Sequence, residues 1–212
     1  MTIDEAGSVS GSALGRARAA ALEELRRQPL AVSWRRDSAR ALLGVLGATA
    51  LIIGIGASVS IVEPGRLGER LLPVALLVAL QSFGVFAAIA PGKVALRWTA
   101  ALLAVAAVAA VLMGRGAGEP RAIPAFACSG SHLAVDLIPL GLVLFSLRRF
   151  SWNLGRAALA GAAVAATGAI AGELSCARGW VHALVHHVGA GLVIVAACVL
   201  ISRAIRPQAF AP

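Results

Sequence analysis

Between Cys128 and His187 the chain places two of its three cysteines, all four of its histidines, and the two acids, Asp136 and Glu173, that fall inside long apolar segments. Thiolate and imidazole are ligands that zinc and copper prefer, and carboxylates orient such ligands from behind. Residues three or four apart share a helix face. Cys128 and His132 therefore point together, with Asp136 about two turns inward of Cys128. Glu173 and Cys176 are one turn apart, and His182 and His186 share a face. His187 projects about 100° from His186 and counts separately.

Several chemistries suit this set. One is a metal site for zinc or copper built from Cys128, Cys176, His132, His182 and His186, with Asp136, Glu173 and His187 supporting them. Another is a redox pair in which Cys128 and Cys176 join as a disulfide. A third is a lock in which the acids and imidazoles bond one another across helices. Haem or another cofactor is a fourth. Cys198, deep in the last apolar segment, reads as a small packing residue.

The elements that position these groups are membrane helices. The chain has 212 residues, 59% of them hydrophobic and 14% charged, with a mean hydropathy of +0.85. That composition excludes a soluble domain of this size. A bilayer core of about 30 Å needs roughly 20 apolar residues per helix. Six segments meet that length, at about 40–62, 71–90, 94–113, 126–147, 156–176 and 180–203. They are continuous and Ala/Leu-rich, without the alternation of a barrel strand. The fold class expected is an all-α, polytopic six-transmembrane-helix bundle.

Within that bundle an acid in hydrocarbon is costly, so Asp136 and Glu173 should face the interior. Pro139 cannot donate a backbone bond, which frees the Val135 carbonyl beside Asp136. Gln81 should bond a neighbouring helix. Gly168 and Gly172 form a small-xxx-small face suited to close helix contact. The short link 177–179 makes the last two spans an antiparallel pair.

Basic residues set the expected orientation, because short loops rich in them stay cytoplasmic. Placing both termini and the loops near Lys93 and Arg148 inside puts 14 of the 19 basic residues there. This puts both termini in the cytoplasm and both cysteines, Cys128 and Cys176, near the outer face. The formal charge of +9 then reflects contact with anionic membrane lipids rather than direct nucleic acid binding. Residues 1–39 are polar and lack the apolar core of a cleavable signal. They form a cytoplasmic segment ahead of the transmembrane domain at 40–203, and 204–212 form a tail. Within 13–27 an amphipathic helix carries Leu14, Leu22 and Leu25 beside Arg26 and Arg27, suited either to the inner leaflet or to a partner.

Three stretches carry a family likeness. CSGSHLAVDLIPLGLVLFSLRR opens on Cys128, AALAGAAVAATGAIAGELSC closes on Cys176, and HALVHH holds the last three histidines. Together with the six-span layout they resemble the NrsF-like six-helix anti-sigma factors. The resemblance implies a non-enzymatic protein whose N-terminal segment holds an extracytoplasmic-function sigma factor inactive. It also implies that Cys128 and Cys176 sense metal or oxidative stress. The histidine set here is denser than in that family, so metal, oxidant and light-derived oxidant all stay open as signals. An alternative outline, His132 and Asp136 followed by His182 and His186, resembles the zinc-dependent ceramidase and adiponectin-receptor type of intramembrane hydrolase. Those proteins have seven spans and a serine where this chain has Cys128.

Overall fold

A computed structural model describes residues 15–20, 23, 30–116, 125–147 and 153–204. It divides into two units, residues 1–34 and 35–212. In the first, residues 15–20 and 23 are helical. Leu14, Leu22, Leu25, Arg26 and Arg27, the expected partner-binding set, lie outside the described residues.

Six helices are long and apolar enough to cross a membrane among the described residues. They are α1 (Leu30–Ser58), α2 (Leu71–Ile89), α3 (Val94–Met113), α4 (Ala125–Leu147), α5 (Leu154–Ser175) and α6 (Trp180–Ala204). The expected spans and the observed helices coincide closely except at the first. Its apolar stretch runs from Trp34 to Ser58 rather than from 40 to 62. The chain turns back beyond Ser58, where the N–H groups of Ile61 and Val62 both donate to the Gly56 carbonyl. Val62 is buried by that turn.

α5 is the central helix: 72% of its apolar stretch is buried, against 17% for α3. Its Ala/Gly composition follows from that position, since helices in lipid associate by close packing rather than by water exclusion. A Cβ on Gly161 would lie 2.7 Å from Val195 Cα of α6. A Cβ on Gly84 of α2 would lie 2.9 Å from Ala163 Cβ of α5. At both crossings the backbones meet because the glycine has no side chain.

Polar groups fix the register of the packed helices. Gln81 Nε2 donates to Thr49 Oγ1 at 2.9 Å and to Thr167 Oγ1 at 2.8 Å, which ties α1, α2 and α5 together. At one end of α5 the Asn153 side chain caps the helix by accepting from the Arg156 N–H at 2.9 Å. The Arg156 guanidinium in turn donates to the Ala88 and Ile89 carbonyls at the end of α2. Those carbonyls have no partner within their own helix, and the charge complements the negative end of its dipole. Cys198 is fully buried in α6, as a packing residue would be.

α6 is not uniform. Ala183–Val188 form a π-helical segment between α-helical Trp180–His182 and Gly189–Ala204. A π turn holds about one more residue than an α turn, and such turns gather at functional sites. This segment carries His186 and His187, with His182 just before it.

Candidate functional site

At the end of the bundle where α4 begins and α5 passes to α6, three side chains converge. The Sγ atoms of Cys128 and Cys176 and a ring nitrogen of His182 all lie within 4.8 Å of one another. Cys128 sits in the first turn of α4, Cys176 directly follows α5, and His182 lies in the first turn of α6. The short link between α5 and α6 brings the second and third together. All three cysteines of the chain are free thiols.

The set fits a thiophilic metal. Two thiolates on a tetrahedral zinc stand about 3.8 Å apart, from Zn–S bonds of about 2.3 Å. A contraction of at most about 1 Å would bring these groups to bonding distance. Cys128, Cys176 and His182 would hold such an ion and leave one position open. It would supply a cross-link between three helices that thiols alone do not make.

The other predicted ligands go elsewhere. His186 Nδ1 pairs with the Ser129 hydroxyl at 2.9 Å. His132 turns from Cys128 towards α5, where its Nε2 lies 3.2 Å from both Asp136 Oδ2 and the Ala165 carbonyl. The second carboxylate oxygen, Asp136 Oδ1, accepts the Gly168 N–H at 2.8 Å. Of the four groups the hydrolase outline requires, His182 alone belongs to the ligand set.

His187, counted separately from His186 on an α-helical wheel, lies among the other imidazoles. It is buried, and its ring packs 5.5 Å from His182 and 5.8 Å from His132, centroid to centroid. His186 lies 4.7 Å from His182. The reason is the π turn: with more than four residues per turn, positions four and five beyond His182 flank it on either side. The four imidazoles thus form a continuous run of tilted and edge-to-face ring contacts, His186–His182–His187–His132, that ends on Asp136.

Gly168 and Gly172 are places of close approach by the neighbouring helices, through side chains. A Cβ on Gly168 would lie 2.0 Å from His132 Cδ2, and one on Gly172 would lie 2.5 Å from His187 Nδ1. The two glycines, one turn apart on α5, are slots for two imidazoles. A cavity of about 350 Å³ beside α1 is lined by Cys128, Cys176, His132 and His187 together.

Glu173 reaches the cluster through a residue that is not among the expected site residues. Arg115, just past α3, makes a close ion pair with Glu173 Oε1, and both side chains are buried. The same guanidinium donates to the carbonyls of Cys176 at 3.1 Å and Arg178 at 3.0 Å. Arg70 Nε stands 3.9 Å from the other carboxylate oxygen, Glu173 Oε2. Arg115 therefore fixes the backbone that presents Cys176. Its signal in the sequence is a base at the end of one span, at the depth where another span holds an acid that needs a counter-charge.

The chain is similar over nearly its whole length to a curated protein. It is 36% identical over 207 residues to the carotenogenesis protein CarR of Myxococcus xanthus, covering 95% of this chain and 91% of that protein. No protein-family model matches the chain. No solved structure matches it.

Proposed function

This chain belongs to the family of the carotenogenesis protein CarR, and from that premise we propose that it is a membrane-bound negative regulator of carotenoid synthesis, of the anti-sigma type. In this reading residues 1–39 lie in the cytoplasm of a bacterium and hold an extracytoplasmic-function sigma factor. The cysteine end of the bundle faces the periplasm and receives the signal. The observation that carries the reading is the full-length likeness to CarR, on a six-helix bundle whose three-sided Cys/His set suits a sensor better than a catalyst.

Two signals fit Cys128, Cys176 and His182. A zinc or copper ion would draw the three groups together. Oxidation of the two thiols would release two protons and two electrons to an external oxidant and form one S–S bond of about 2.05 Å. Either event shortens the distance between α4 and the α5–α6 link. The stack from His182 through His187 and His132 to Asp136 gives that movement a packed route into the bundle, ending on the Gly168 N–H of the central helix. Coupling of this kind requires the signal to bind the releasing state more tightly than the capturing one.

The test is co-purification. The protein in detergent, produced with the sigma factor encoded nearest to its gene, should retain that factor, and deletion of residues 1–29, ahead of α1, should release it. A full-length protein that retains no sigma factor would sink the anti-sigma reading.

A further inference from the structure

A second cavity, of about 160 Å³, lies on the other side of the imidazole stack, between α2, α3, α5 and α6. Leu77, Leu80, Ala107, Val111 and Ala166 supply apolar walls, and His132, His187 and Glu173 form a polar end. Val108 and Leu192, both exposed, also line it, so it opens sideways between α3 and α6 into the lipid.

The polar end is unsatisfied. His187 is only 6% exposed, yet neither of its ring nitrogens has a hydrogen-bonding partner, and His132 Nδ1 has none either. A buried polar group left in that state is destabilising until a partner reaches it. An apolar-walled cavity of about this size accepts an aromatic ring: one of about 150 Å³ holds benzene. The shape and chemistry require a ring-sized apolar body with oxygen at one edge, reached from the bilayer.

We propose that this cavity binds the ring of an isoprenoid quinone, with its tail passing between Val108 and Leu192 into the lipid. A neutral imidazole offers one N–H donor and one bare nitrogen acceptor. The N–H suits a quinone carbonyl, and the bare nitrogen suits a quinol hydroxyl. His132 adds an acceptor, since its Nε2 is already directed at Ala165 and Asp136. A hydrocarbon chain would leave all these nitrogens unpartnered, and a charged head group would have to desolvate against Leu and Ala. The site is separate from the thiol pair and stands whether or not the protein captures a sigma factor. His187 joins the two, as a wall of both cavities.

The experiment uses full-length protein in nanodiscs of quinone-free synthetic phospholipid, titrated with radiolabelled decyl-ubiquinone, alongside the ring-nitrogen spectrum of ¹⁵N-histidine-labelled protein. One saturable site per chain and a shift of the His187 resonances are expected. His187→Phe, which keeps ring volume but removes both nitrogens, should weaken binding by about tenfold, the loss of one hydrogen bond. Leu192→Trp, at an exposed rim position that folding tolerates, should weaken it independently and decides the matter if His187→Phe fails to fold. Uptake that rises linearly with quinone, identical in wild type and Leu192→Trp, would mean partition into lipid only and would overturn the proposal. Saturable binding that neither variant changes would overturn it as well, by placing the quinone elsewhere.

Discussion

His132 occupies a slot that exists because residue 168 is glycine: a Cβ there would stand 2.0 Å from the imidazole Cδ2. The same glycine donates its backbone N–H to Asp136 at 2.8 Å. Side chain and partner of α4 are thus both seated on one residue of α5.

Gly168→Ala should therefore expel the His132 ring and break the His132–Asp136 and Asp136–Gly168 contacts together. A loss of about 2–4 kcal/mol is expected, combining overpacking with an uncompensated buried acid. Reversible unfolding in detergent measures it, with Ala162→Gly on the same helix as a control for generic effects of helix composition.

The Arg115–Glu173 pair gives a second, independent prediction. Removing one partner, as in Arg115→Met, leaves a buried charge and should cost about 3–5 kcal/mol. The double variant Arg115→Met/Glu173→Met should recover most of that loss. If the two single losses simply add in the double variant, the pair is not coupled and its assignment as the brace of Cys176 fails.

Metal loading distinguishes the three-sided set from the larger group of histidines. One zinc or copper ion per chain is expected, with two sulfur neighbours at about 2.3 Å and a nitrogen at about 2.0 Å in X-ray absorption. Cys128→Ser, Cys176→Ser or His182→Ala should each abolish stoichiometric binding. His186→Ala should keep it, because that ring is committed to Ser129.

In cells, the pair Cys128→Ser/Cys176→Ser should capture the sigma factor normally and fail to release it. A reporter of the target promoter would then stay silent under both metal and oxidant challenge. Unchanged induction in that double variant would remove the thiols from the signal.

Much of this arrangement was legible in the residues themselves. The six apolar runs predict the six helices, because length and hydropathy alone decide whether a helix spans. The convergence of Cys128, Cys176 and His182 follows from three helix ends at one face. What the sequence did not disclose depends on local geometry. An α-helical wheel separates His187 from His186, and only a π turn restores it to the stack. His132 and Asp136 share a face with Cys128 by spacing, yet the slot at Gly168 draws them to α5. Arg115 announces only a base at the end of a span; its pairing with Glu173, 58 residues away, is marked by nothing local. The end of α1 fell at Ser58 because the backbone turns there while apolar residues continue.

The extra residue in the π segment is absorbed where it stands. The π residues of 183–188 turn the chain about as far as one fewer α-helical residue would, so the two halves of α6 keep the phase of a regular helix one residue shorter. Beyond the segment, Ile194 and Cys198 are buried, and Val195 Cα meets α5 at Gly161. Before it, His182 faces the thiols. Deleting one residue from 183–188 would restore a regular helix and leave both of these engagements in place. What would go is the widened turn that seats His186 and His187 on either side of His182. The turn works as a spacer: it admits one more imidazole without disturbing either end of the helix.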